Sequence, residues 1–74
     1  MRLEIDSRKT RAYEWIVHHL PPPREVRTGE TVHIEVKERR SLRPEAWYYD
    51  RERGNLHIVV QAFAGEVRVT HIAF

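Results

Sequence analysis

Two stretches near the C-terminal end, Leu56–Phe63 and Glu66–Phe74, are rich in β-branched residues and are separated only by Ala64-Gly65. Nothing else in the sequence narrows the fold so far. Such residues favour pleated, half-buried backbone, and a short Gly-containing break between two such runs predicts a hairpin. With a two-residue loop at Ala64-Gly65 or Gly65-Glu66, Leu56, Ile58, Val60 and Ala62 share a face with Val67, Val69, His71 and Ala73. His57, Val59, Gln61, Arg68, Thr70 and Ile72 then take the other face, because side chains alternate along a strand.

The rest of the chain supplies what that hairpin packs against. Leu3 and Ile5 alternate with Arg2, Glu4 and Asp6, the period of a short strand. Asp6 or Ser7 suits a helix N-cap. Ala12, Trp15, Ile16, His19 and Leu20 follow at three-and-four spacing, with Tyr13 and Val17 widening the stripe, and this predicts a helix over Ser7–Leu20. Pro21-Pro22-Pro23 ends it. Thr28-Gly29-Glu30 is a turn between Glu25–Arg27 and a strand over Thr31–Glu38. In that strand Val32, Ile34 and Val36 face one way, and His33, Glu35 and Lys37 the other. A further strand, Ala46–Asp50, leads into the loop Arg51–Asn55. The expected fold class is therefore α+β: a short N-terminal strand, one amphipathic helix, and an antiparallel meander of three to four strands packed on it, in one small domain over residues 1–74. An open edge and a second sheet face bearing Val59, Phe63 and Ile72 predict self-association, most simply as a homodimer.

Composition sets the limits on chemistry. The chain of 74 residues has no cysteine, which excludes disulfides, thiolate metal sites and thiol nucleophiles. Its apolar runs are too short to span a bilayer and no signal peptide opens it, so a cytoplasmic protein with no membrane partner is expected. Eleven of the thirteen bases are Arg, and the net charge is only +2. Asn55, Gln61 and Met1 are the sole members of their types, a thermophile-like composition.

Lys37, Arg39, Arg40 and Arg43 crowd one loop and Arg51 and Arg53 the next, with Trp47 and Tyr49 between them. Cations beside aromatics suit phosphate contact and base stacking, so these eight residues are the expected surface for a nucleic acid or an acidic protein. Glu35, Glu38, Glu45 and Glu52 offer the opposing reading, a solvated face laced with ion pairs. His33-x-Glu35, with His57 on a neighbouring strand, lacks any established ligand spacing, and neither a metal nor a cofactor is expected. His18-His19 sits where a helix C-terminus would favour positive charge. Gly29, Gly54 and Gly65 each lie in a turn, so no Gly-rich phosphate loop is present. No Ser occupies a strand-to-helix elbow, and Asp6 and Asp50 are the only aspartates.

Acid–base cleavage of RNA is the sharpest enzymatic alternative, with His57 or His71 as the proton-transfer group and Arg68 as electrostatic partner; Tyr49 and Glu66 are further groups within reach of that sheet. The stretch Trp47–Phe74 resembles the last strands of RelE-like toxins, which are mRNA-cleaving ribonucleases. That resemblance implies a helix before an antiparallel meander, with Arg, His or Tyr near its end. This chain departs from the family in lacking a second helix and a strongly basic surface. The residues together favour a non-enzymatic binding module. The ribonuclease is the alternative, and a structural subunit of a larger assembly is the third reading.

Overall fold

The computed structural model describes all 74 residues, Met1–Phe74, and it is built from strands. They are β1 (Arg2–Asp6), β2 (Arg11–Val17), β3 (Glu25–Thr28), β4 (Thr31–Val32), β5 (Ile34–Glu35), β6 (Ala46–Asp50), β7 (Asn55–Ala62) and β8 (Val67–Ala73), with one 3-10 turn at Arg39–Ser41. One sheet has the order β1-β8-β3-β4 and the other β2-β7-β6-β5. Ile5, Val26 and Ile72 from the first sheet and Trp47, Leu56, Ile58, Val60 and Ala62 from the second form a single core. The architecture is a two-sheet sandwich, not the expected α+β fold, and it is not purely antiparallel, because β5 and β6 run parallel.

The helix expected over Ser7–Leu20 does not form. Arg11–Val17 is instead a strand paired along its whole length with β7, from Arg11 opposite Ala62 to Val17 opposite Leu56. Tyr13, Trp15 and Val17 are its more buried positions, alternating with exposed Ala12, Glu14 and Ile16. A short apolar run satisfies both periods, and Tyr13, Trp15, Ile16 and Val17 are aromatic or β-branched, types that lose rotamer freedom in a helix and pack well on a pleat. His18 and His19 consequently sit at no helix end. His18 Nδ1 lies 3.0 Å from Asn55 Oδ1, and His19 has a left-handed φ of 60°.

The expected C-terminal hairpin is also replaced. Both segments are strands, but β7 pairs with β2 and β6, while β8 pairs with β1 and β3. A strand has two edges, and both edges of β7 are taken. Its face assignment stands, with Leu56, Ile58, Val60 and Ala62 fully buried. That of β8 is inverted: Thr70 and Ile72 point inward, whereas Val67 and His71 are exposed. Phe63–Glu66 is a corner between sheets. There Ser7 donates its amide to the Glu66 carbonyl at 2.9 Å and accepts from the Gly65 amide at 2.8 Å.

A similar crossing breaks the strand expected over Thr31–Glu38. Val32 belongs to the first sheet and Ile34 to the second, so both are exposed, while His33 and Val36 turn inward. The Arg51–Asn55 loop does close a hairpin, with Asp50 opposite Asn55 and Gly54 at φ 69°. Leu20 is pinned against it, donating its amide to the Gly54 carbonyl at 2.9 Å and accepting from the Tyr49 hydroxyl at 2.6 Å. The three prolines that follow have no amides to satisfy and carry the chain to β3, where the Arg24 amide meets the Ala73 carbonyl at 2.7 Å.

Candidate functional site

The Arg-rich segments divide when their surroundings are built up residue by residue. Lys37, Tyr49, Arg51 and Arg53 line one cleft of about 380 Å³ with Glu35, Val36, Tyr48, Asp50 and Glu52. Most of its charge is compensated. Lys37 pairs with Glu35 at 3.2 Å and Arg53 with Asp50 at 3.0 Å. The Arg53 guanidinium holds the Asp50 carboxyl below its ordinary value, helped by the amides of Arg53 and Glu52, and Asp50 raises Arg53 in return. Arg51 is the cation of this cleft with no carboxylate at ion-pair distance; its guanidinium stands 5.8 Å from the centre of the Tyr49 ring.

Arg39 and Arg40 sit in the 3-10 turn, outside the cleft lining. Arg40 pairs with Glu38 at 2.6 Å, Arg43 reaches only the Ser41 carbonyl at 3.4 Å, and Arg39 has no ionic partner. Trp47 is 7% exposed and part of the core, so it presents no stacking face. Tyr49 is half-buried, with its hydroxyl committed to Leu20.

His57, Arg68 and His71 are not brought together. His57 lies on the outer face of the second sheet, covered by Tyr48 and bonded through Nδ1 to Glu14 Oε2 at 3.1 Å. His71 is exposed on the outer face of the first sheet, between Arg2 and Arg27 on the flanking strands. Arg68 turns inward, 3.8 Å from Glu45 and 3.5 Å from Glu66. Opposite outer faces of a sandwich cannot act on one scissile bond.

Sequence reasoning missed the polar cluster that Arg68 joins. Thr28 and Thr70, each 1% exposed, meet hydroxyl to hydroxyl at 2.7 Å. His33 Nε2 lies 2.6 Å from the Thr28 hydroxyl and 3.2 Å from Glu45 Oε2. Burial pushes the His33 imidazole below its ordinary value, and the Glu45 carboxylate opposes that shift. Hydroxyl, imidazole and carboxylate together invite comparison with a catalytic triad, in which the two partners use different ring nitrogens. Here both use Nε2, and the hydroxyl is closed to solvent, so the cluster is structural. No local spacing announces it, because its members come from three separate parts of the chain.

The second omission was visible. Arg8, Lys9 and Arg11 are consecutive cations but for Thr10, and they fall within the helix expected over Ser7–Leu20, which assigns them no role. Arg8 and Lys9 lie in the β1–β2 connection and Arg11 opens β2; all three are exposed and have no carboxylate at ion-pair distance. No group of three or more His, Asp or Glu is placed to hold a metal ion, and no helix is long and apolar enough to cross a membrane. Comparison with protein-family models, with curated proteins and with solved structures finds no match.

Proposed function

We propose that this chain is a small non-enzymatic binding module for an anionic polymer, nucleic acid first among them, in a cytoplasmic setting. One observation carries the reading: ion pairing is lopsided. Arg8, Lys9, Arg11, Arg24, Arg39, Arg43 and Arg51 have no carboxylate at ion-pair distance, whereas among the acids only Asp6, Glu14, Glu30 and Glu52 lack an Arg or Lys partner. Free cations on loops are what a phosphate backbone displaces counterions to reach. Arg39, Arg43 and Arg51 supply part of the contact, and the paired Lys37, Arg40 and Arg53 contribute by exchanging carboxylate for phosphate.

The test is a titration of a labelled oligonucleotide at increasing salt. Affinity should fall linearly on logarithmic axes, with a slope of about −0.7 per phosphate contacted for a single strand. No binding, or binding indifferent to salt, overturns the reading.

Self-association is the second reading. It is supported by β2, a seven-residue strand at the edge of its sheet, with Ile16 exposed along it. Such an edge offers unpaired backbone to another copy. Light scattering that finds only monomer at high concentration overturns it.

A further inference from the structure

We propose that the β1–β2 connection and the first residue of β2, together with Phe63, form a contact for single-stranded nucleic acid: Arg8, Lys9 and Arg11 take the phosphates and Phe63 takes an unpaired base. This rests on the reading of the chain as a polyanion-binding module and supplies what the Arg39–Arg53 region lacks. There the aromatics are occupied, Trp47 in the core, Tyr48 against His57 and Tyr49 between Leu20 and Arg51. Phe63, in contrast, is 57% exposed.

The site is built, not merely charged. Ser7 is 1% exposed and fully engaged. Its backbone is bonded to Gly65 and Glu66, and its hydroxyl donates to the Lys9 carbonyl while accepting from the Tyr13 hydroxyl at 2.8 Å. The Thr10 hydroxyl accepts the Ala64 amide at 3.0 Å. The loop bearing the cations and the corner bearing Phe63 are thus stitched into one surface, so little ordering entropy is lost on binding. Arg11, directly across from Ala62, holds its guanidinium 4.9 Å from the centre of the Tyr13 ring. No carboxylate pairs with the patch: Glu66, in the adjoining corner, is engaged by the Phe63 amide at 2.9 Å and by Arg68, and Asp6 makes no ion pair.

Single strands are the fitting form. An exposed aromatic ring stacks on bases that are already unpaired, which makes such contacts tolerant of sequence. Reading a duplex by its major groove needs a helix or a two-stranded ribbon to enter it, and this surface is two short loops and the first residue of β2.

The experiment is fluorescence anisotropy with a labelled thymidine 12-mer, its duplex counterpart, and vesicles of anionic phospholipid, at salt from about 50 to 200 mM. The full chain is compared with the triple variant Arg8→Gln/Lys9→Gln/Arg11→Gln, the triple variant Arg39→Gln/Arg43→Gln/Arg51→Gln, and Phe63→Ala. Thermal melts verify that each is folded, which the exposure of all seven side chains favours. Loss of the first three cations should weaken single-strand binding more than 10-fold and flatten the salt slope by about 2. Phe63→Ala should cost about 5-fold or more on the single strand and leave the duplex unaffected. If the Arg39/Arg43/Arg51 variant alone weakens binding, this site is wrong and the polyanion reading survives. If the parent chain binds no oligonucleotide, or only the vesicles, both fall. If Phe63→Ala changes nothing, the stacking assignment falls.

Discussion

His33 and Glu45 face each other where the chain crosses between the sheets, Nε2 to Oε2 at 3.2 Å, and Glu45 holds a left-handed φ of 65° to do so. Its other oxygen accepts from the Gln61 amide at 3.4 Å. Replacing Glu45 by Ala leaves a buried imidazole with one partner and an inward-turned Arg68 with less compensation. A loss of about 1–3 kcal/mol is expected from stranding such groups, and urea denaturation will measure it. Glu45→Gln, which keeps an acceptor, should cost less.

Protonation of His33 provides a pH dependence. Its folded-state pKa lies below the ordinary 6.5, so above 6.5 both states are neutral and stability is full. As pH falls below 6.5 the unfolded chain takes up a proton that the folded chain refuses, and stability declines until the lower folded value is passed. Urea midpoints between about pH 5 and 8 should show this decline, and His33→Gln should remove a corresponding part of it. An identical pH profile in the variant would contradict the assignment.

Thr28 and Thr70 share one hydroxyl pair, and Thr28 also meets His33. Thr28→Val and Thr70→Val should each destabilise by about 1–3 kcal/mol. The double variant should fall short of the sum, with a coupling of about 0.5 kcal/mol or more, because the second change no longer strands a partner.

Much of this was hidden from sequence reasoning for a definite physical reason. The strands Arg2–Asp6 and Ala46–Asp50 and the hairpin after Asp50 are local matters of alternation and turn residues, and they were legible. Which strand meets which was not. Leu56–Ala62 reads as strongly β, yet nothing in its own residues says that its neighbours are Arg11–Val17 and Ala46–Asp50 and not Val67–Ala73. That error inverted β8 and put Arg68 and His71 on each other's faces. Among arginines in the sequence Trp47 reads as a stacking platform, and its position opposite Ile58 sends it inward instead. Arg8, Lys9 and Arg11 were legible as charge and lost to the helical reading.

Gly54 and Gly29 both have positive φ, but their surroundings differ. A Cβ at Gly54 would stand 3.4 Å from the Leu20 carbonyl oxygen, whereas one at Gly29 would meet nothing within 4 Å. Gly29→Ala should cost only the conformational penalty of about 1–2 kcal/mol. Gly54→Ala should cost more, because the same substitution also crowds the anchor of the proline connector. Paired thermal melts should rank the two variants in that order.

If β2 is the edge through which two copies join, a charge placed on it should separate them. Ile16→Lys is expected to convert dimer to monomer in light scattering and to move stability by no more than about 0.5 kcal/mol. An unchanged dimer would locate the interface elsewhere.

The position of β8 carries a consequence for how the molecule comes into being. It is synthesised long after β1 and lies second from the edge of its sheet, the sole ladder partner of β1. Until Val67–Ala73 exists, Leu3 and Ile5 have no ladder to join, so β1 must wait, unpaired, through synthesis of everything between. A nascent chain stalled before Val67 would therefore display β1 as bait for a chaperone or for another nascent chain.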